Sequence, residues 1–120
     1  MTLNEEALLP QTVYGTPSGN YDGSSLAFES DPVRAANYYG GQGSIQTATI
    51  RTTDFVGNVV LQATLNDQPS IQAAWFNVDT FDSPSASSGI DGRTVVGNFT
   101  FIRARVDGFE AGSISITLTY

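Results

Sequence analysis

The last nine residues, GSISITLTY (112–120), alternate between apolar and small polar side chains. Ile114, Ile116, Leu118 and Tyr120 occupy one set of positions, and serine and threonine occupy the other. Neighbouring side chains of a β-strand point to opposite faces, so this period of two predicts a strand with one face in a core. Because the strand runs to the last residue, we expect the C-terminus to be tied into a sheet.

The same signal recurs upstream at intervals of roughly ten residues, with β-branched residues in the strands and turn formers between them. The predicted strands are 44–53, 59–65, 71–78 with Trp75 in the core, 94–106 with a bulge or bend at Gly97, and the C-terminal strand. The predicted turns and loops are residues 40–43, 57–58, 66–70, 79–92 and 107–108. No segment offers the long crossover helix that parallel strands require. The predicted fold class is therefore all-β, a single antiparallel β-sandwich or jelly roll.

The first 37 residues have a different sequence pattern. Residues 1–37 show no sustained period, are interrupted by three prolines and are rich in turn formers between 14 and 23. We predict an extended N-terminal arm over 1–37, followed by the sandwich domain over 38–120. The arm is either a terminus without a fixed place or a segment that docks on a neighbouring subunit. The side chains predicted to carry such assembly are Leu8, Leu9, Val13, Tyr14, Leu26 and Phe28.

Charge limits the partners. The 120 residues carry a formal charge of −7, and every basic side chain is an arginine. Binding to nucleic acid or to anionic lipid requires a basic surface, so neither is expected as a partner. Residues 1–10 have no basic start and no long apolar run, which indicates neither a signal peptide nor a membrane span. Synthesis in the cytosol without export by that route is the expectation.

The residue types argue against an enzyme. With no histidine and no cysteine, the commonest general base and metal ligand is absent, and thiol nucleophiles and structural zinc sites are excluded. Paired carboxylates at Asp79 with Asp82, or at Asp107 with Glu110, are a weak basis for glycoside hydrolysis. Asp79, Asp82 and Asp91 are weak calcium candidates, and solvated loop acids are the favoured interpretation. We predict no catalytic residue, no metal and no cofactor.

One candidate binding face remains. Phe99, Phe101, Arg103 and Arg105 are spaced two apart and are predicted to share a face of one strand. Such a row could contact a glycan or a partner protein, since arginine and aromatic residues are enriched in interfaces. The favoured alternative is structural: the arginine stems cover the rings and pair with acids on the next strand.

Four stretches carry a resemblance to a known group of proteins: DFVGNVVLQATL (54–65), AWFNV (74–78), GNFTFIRARV (97–106) and GSISI (112–116). In this order they resemble small virion structural proteins of tailed bacteriophages, especially marine and cyanobacterial T4-like phages. The succession of strands is also similar to discoidin-type, carbohydrate-binding jelly rolls. The resemblance covers residues 38–120 and does not include the arm.

The resemblance implies a non-enzymatic particle component: a capsid decoration protein, or a neck, tail or fibre accessory subunit. Its partners would be other virion proteins and further copies of the same chain, and its location would be the virion, after synthesis in the host cytoplasm. The alternative is a carbohydrate-binding module for adhesion to the host surface. That alternative predicts an exposed Trp75, whereas a structural subunit predicts that Trp75 is buried.

Overall fold

A computed structural model describes residues 5–35, 45–65 and 75–120. The described residues form six strands and no helix. The strands are β1 (Glu5–Val13), β2 (Phe28–Glu29), β3 (Val33–Arg34), β4 (Ile45–Thr64), β5 (Phe76–Val96) and β6 (Phe101–Thr119). All pair antiparallel in one sheet of order β1-β6-β4-β5, with β2 and β3 also pairing with β6. Within the described ranges, no helix is long and apolar enough to cross a membrane.

The three long strands must bend. At about 3.3 Å per residue, the 20 residues of β4 would span roughly 66 Å if straight. The longest dimension of the molecule is 39 Å. The pairing register of β4 slips between Thr52 and Phe55 against β5, and between Thr53 and Asn58 against β6. Such bulges bend strands, and here they fold one sheet over on itself.

The fold-back produces two facing layers. The terminal layer contains β1 with residues 45–53 of β4, 89–96 of β5 and 113–119 of β6. The second layer contains β2 and β3 with residues 57–64 of β4, 76–83 of β5 and 101–107 of β6. Arg93 contacts Asp79 at 3.5 Å although the two lie 14 positions apart on one strand, which directly reflects the fold-back. The architecture is an antiparallel β-sandwich.

The core lies between the layers, with aromatic rings at the bend. Phe55 and Phe109 are fully buried there, with their ring centroids 5.7 Å apart. Most of the other buried apolar residues of the two layers come from alternate positions of the strands, as expected for one inward face, and Leu8 and Leu9 are consecutive where the pairing of β1 shifts. They include Leu8, Leu9, Ala48, Ile50, Val59, Leu61, Ala63, Ile102, Ala104, Val106, Ile114, Ile116 and Leu118.

The C-terminal alternation is confirmed. Ile114, Ile116 and Leu118 are buried in the core, and β6 runs to Thr119 between β1 and β4. Tyr120 is half-buried against the same core. Burial raises the pKa of its phenol above the ordinary value of 10.0, and the Glu6 carboxylate acts in the same direction.

Four predictions of local structure were wrong. The loop predicted at 79–92 is the middle of β5, and the turns predicted at 57–58 and 107–108 lie within β4 and β6 as irregularities of pairing. The strand predicted over 94–106 is not continuous: β5 ends at Val96 and β6 begins at Phe101, and the interruption includes the bend predicted at Gly97. Phe99 folds back so closely over Gly97 that a Cβ at Gly97 would overlap its ring. The turns predicted at 40–43 and 66–70, and the first part of the strand predicted at 71–78, lie outside the described residues.

The N-terminal segment is extended in β1 but pairs with its own chain. Glu5 lies opposite Thr119 and Val13 opposite Ser113, so β1 and β6 join the two ends of the chain. The loop that follows β1 is held by Tyr21, whose buried ring packs on Phe28 and Phe109. The Tyr21 hydroxyl accepts a hydrogen bond from the Gly15 amide at 3.0 Å. Residues 5–35 are thus part of the described sheet and its core, and the predicted boundary at 37/38 lies outside the described residues.

Candidate functional site

The predicted Phe–Arg row is split by the structure. Phe99 precedes β6 and is buried, whereas Phe101, Arg103 and Arg105 are alternate positions of β6 on the outer face of the second layer, where Phe101 is buried and Arg105 is exposed. Arg105 is exposed and pairs with Asp107 of its own strand at 3.0 Å. The four side chains therefore do not form a single binding face.

Arg103 instead lies at the centre of a polar row that crosses the sheet. Its guanidinium forms a 2.9 Å ion pair with Glu29 of β2 and donates to the Gln62 amide oxygen at 2.8 Å. Gln62 in turn donates to Asn77 of β5 at 3.0 Å. The row joins β2, β6, β4 and β5, which supports the favoured prediction that this arginine pairs with an acid on the next strand.

Trp75 was expected in the core and is half-buried outside it. The Arg103 guanidinium lies over its ring at 4.4 Å from the centroid, within the range of a cation–π contact. Because Arg103 also bonds to Glu29 and Gln62, this cluster stabilises the outer face of the second layer. The exposed aromatic platform expected of a carbohydrate-binding module is not present at Trp75.

The calcium candidates do not converge. Asp79 and Asp82 are three positions apart on β5, opposite Leu61 and Asn58, so they face opposite sides of the sheet. Asp79 and Asp91 both contact Arg93, at 3.5 and 2.7 Å, and the guanidinium also lies 5.6 Å from the Phe81 centroid. The described ranges contain no group of three acids close enough to hold a metal ion. The physical role of Asp79 and Asp91 is to pair with the arginine that spans the open edge of the sandwich.

The six predicted assembly residues divide into two sets. Leu8, Leu9 and Phe28 lie in the core of their own chain, at 1%, 4% and 8% exposure, so the prediction that they contact a neighbour is corrected. The remaining three are exposed large hydrophobics: Val13, Tyr14 and Leu26, at 44%, 47% and 54%. The N-terminal segment therefore has buried side chains that pack in the core and exposed side chains that are available for contact with a partner.

Val13, Tyr14 and Leu26 lie at the bend of the sandwich, and we call them the end patch. Tyr14 contacts Phe109 edge-on, with centroids 5.7 Å apart, and its amide donates to the Gly112 carbonyl at 2.8 Å. The Leu26 carbonyl accepts from the Phe109 amide at 2.9 Å. Two backbone hydrogen bonds to β6 therefore hold the end patch in place.

Asp22 shapes the loop that carries Leu26. Its carboxylate accepts hydrogen bonds from the Ser24 and Ser25 amides at 2.9 and 2.7 Å, and from the Ser25 hydroxyl at 2.8 Å. The two backbone amides, followed by the hydroxyl, lower the pKa of Asp22 from 3.8 to about 2. The charged form of this exposed side chain is the one that organises the turn before Leu26.

A groove of about 470 Å³ crosses the outer face of the terminal layer, and we call it the Arg51 groove. Its lining is mostly polar and comes from all four strands of that layer: Gln11, Arg51, Thr52, Thr53, Gly89, Ile90, Ser113, Ile114 and Ser115. Arg51 lies opposite Ser115 of β6 and Ile90 of β5, and Thr53 lies opposite Ser113. Arg51 is therefore surrounded by serine and threonine side chains near the bend.

Sequence reasoning missed this groove. The C-terminal pattern already placed the serines and threonines of β6 on the outer face, and Arg51 is the only charged side chain in the Thr-rich stretch 45–53. The missing information was strand order, because Gln11 and Ile90 reach the groove only after β1 and β5 flank β6 and β4.

No protein-family model and no curated protein matches the chain. Among solved structures, the K3 cleaved adhesin domain of Lys-gingipain from Porphyromonas gingivalis w83 is similar over 97% of this chain and 71% of its own, at 9% identity and a TM-score of 0.50. A family 29 carbohydrate-binding module from Piromyces equi is similar over 99% of this chain and 91% of its own, at 16% identity and a TM-score of 0.47. A structure of infectious bursal disease virus, Gx strain, is similar over 98% of this chain and 31% of its own, at 10% identity and a TM-score of 0.47. At these identities the likeness concerns the β-sandwich fold alone.

Proposed function

We propose that this chain is a non-enzymatic structural subunit of a tailed-bacteriophage virion, which assembles through the end patch. The observation that carries the proposal is the division of the N-terminal side chains. Leu8 and Leu9 anchor the segment in the core, while Val13, Tyr14 and Leu26 remain exposed at one end of the sandwich. The subunit is a decoration, neck, tail or fibre component.

The end patch has the physical properties of a contact surface. Grouped apolar side chains on a protein surface mark interaction sites more often than scattered ones do. The backbone of Tyr14 and Leu26 is already fixed by hydrogen bonds to β6, so association would order little additional chain. The sandwich behind it provides a rigid body.

Composition and resemblance support the same role. A net charge of −7 without lysine keeps a protein soluble when it is made in many copies. The four stretches similar to phage virion proteins overlap residues 54–64 of β4, 76–78 of β5, and 101–106 and 112–116 of β6. The partners are then other virion proteins and further copies of this chain, and the location is the virion.

The test is the protein content of particles purified by density gradient from cultures that produce this chain. The proposal predicts that quantitative mass spectrometry detects the chain in intact particles, in a fixed ratio to the major capsid protein across gradient fractions. Its absence from the particle fractions, with the chain recovered only from the soluble lysate, would contradict the proposal.

A second candidate function, carbohydrate binding, is favoured by one observation. The Arg51 groove is a polar, concave surface of about 470 Å³ on a sheet face, a size that suits a small ligand. The Trp75 cluster does not favour this function, since Arg103 occupies a face of the indole ring. The Arg51 groove and the end patch share no residue, although they adjoin where Val13 pairs with Ser113.

A further inference from the structure

Arg51 differs from the paired arginines of the strands. Arg93, Arg103 and Arg105 each form an ion pair with a carboxylate, at 2.7, 2.9 and 3.0 Å. Arg51 is exposed and forms no ion pair with any residue that the structure describes. In a chain of net charge −7, an arginine that meets no acid has an unused preference for a carboxylate.

The surroundings of Arg51 supply hydrogen bonds from side chains. β4 and β6 are paired on both sides in this layer, so their backbone groups are already used. What the groove offers a ligand is the guanidinium of Arg51, the hydroxyls of Thr53, Ser113 and Ser115, and the amide of Gln11. Each hydroxyl both donates and accepts, which matches the hydroxyl groups of a sugar.

We propose that the Arg51 groove binds a saccharide that carries a carboxylate, with Arg51 pairing with the carboxylate. The side chains of Ser113, Ser115 and Gln11 hydrogen-bond the sugar hydroxyls, and Ile90 at the other rim packs against the apolar edge of the ring. This inference goes beyond the assembly role and does not depend on it, because the groove and the end patch share no residue.

Two observations favour a sparsely charged sugar over other anionic ligands. An extended peptide adds to a free sheet edge, whereas the groove lies on a face whose central strands are paired. A densely charged polyanion would be repelled by the net charge of −7 and would find one arginine in the groove. A single carboxylate among hydroxyls fits both the charge and the lining.

The experiment titrates the intact chain with three probes and follows backbone amide shifts by NMR. Methyl galacturonoside and 3′-sialyllactose, which carry one carboxylate each, are the two carboxylated arms, and the methyl ester of the galacturonoside is the neutral control. We expect saturable shifts at Thr53, Ser113 and Ser115 with at least one carboxylated sugar, and weaker binding of the ester by about tenfold or more. Whichever carboxylated arm binds identifies the source of the sugar.

The variant Arg51→Gln removes the charge, and Arg105→Gln is the matched control, since it makes the same change in net charge on the outer face of the other layer. We expect R51Q to weaken binding by about tenfold or more and R105Q by less than about twofold. The proposal is overturned if neither carboxylated sugar binds at low-millimolar concentration, if the ester binds equally well, or if both variants weaken binding alike. Testing L26S in parallel separates this result from assembly, because Leu26 belongs to the end patch, its carbonyl bonds to Phe109 outside the groove, and L26S should bind the sugar normally.

Discussion

Arginine has three different roles in this chain, and the surroundings of each side chain decide which one it takes. Arg93 spans the open edge between the layers, Arg103 joins the strands of one layer, and Arg51 faces solvent among hydroxyls. The sequence identified Arg103 as a candidate binding residue and, as the favoured alternative, predicted that it pairs with an acid on a neighbouring strand. It could not identify Glu29 or Trp75 as the contacts, because neither position is near Arg103 along the chain.

Replacing Arg103 with alanine should uncover Trp75 and leave Glu29 without its partner. Arg103 is only 16% exposed, so we expect R103A to lower the free energy of unfolding by about 1–3 kcal/mol. Trp75 is the only tryptophan, and its fluorescence therefore reports on this contact directly. Acrylamide quenching should increase in R103A and stay unchanged in the control R105A. Equal quenching in both variants would show that Arg103 does not cover the indole in solution.

Asp22 should make stability depend on pH in a narrow acidic range. Its pKa is lowered to about 2 in the folded chain by the Ser24 and Ser25 amides, against 3.8 ordinarily. A lowered folded pKa contributes stability that is present above the unfolded value and is lost as the pH falls through the folded value. In thermal unfolding from pH 6 to pH 2, the advantage of the native chain over D22N should therefore be constant above about pH 5 and shrink towards pH 2. A difference that does not change over this range would argue against the charged turn.

At the scale of elements, the strands were predicted best where one face is strongly apolar. The C-terminal half of β6 was predicted from the alternation of Ile114, Ile116 and Leu118. Part of β4 was predicted in the same way from Val59, Leu61 and Ala63. The long loop predicted at 79–92 failed because β5 is an edge strand whose middle is mostly exposed. Its serines and glycine are held by backbone pairing to β4, a tertiary effect that overrides local β-propensity.

The bend depends on a glycine in β6. Gly112 has φ of +80°, and a Cβ there would overlap the backbone of Thr53 and Asp54 on β4. Because backbone strain and overlap act together, Gly112→Ala should lower the free energy of unfolding, measured in urea, by about 2–4 kcal/mol. Gly92→Ala is the matched control, because a Cβ at Gly92 meets no atom within 4 Å and should change stability by less than about 0.5 kcal/mol. If G112A were as stable as G92A, the layers would not meet at this bend as described.

β1 should contribute to the stability of the sandwich. Leu8 is 1% exposed in the core, so Leu8→Ala should lower the free energy of unfolding by about 2–5 kcal/mol. Val13→Ala, at the 44% exposed end of the same strand, should cost less than about 1 kcal/mol. Chemical denaturation of both variants measures the difference. Equal, small losses would mean that β1 is a detachable arm, as the sequence first indicated.

For the whole molecule, the sequence predicted the fold class better than the location of the exposed surfaces. The alternation and the turns led to an antiparallel β-sandwich, and the acidic composition argued against nucleic acid. The end patch was contained in the six predicted side chains, but only burial separates Val13, Tyr14 and Leu26 from Leu8, Leu9 and Phe28. The Arg51 groove needs the strand order β1-β6-β4-β5, and nothing local in the sequence predicts that order.

The central claim is assembly through the end patch, and light scattering of the purified chain over a range of concentrations tests it most directly. We expect a homo-oligomer of defined mass for the native chain and a monomer for V13S/L26S. The control I45S/V96S changes two exposed apolar residues that pair with each other at the opposite end of the terminal layer, and it should keep the oligomer. A monomeric native chain, or an oligomer that survives V13S/L26S and dissociates in I45S/V96S, would contradict the account.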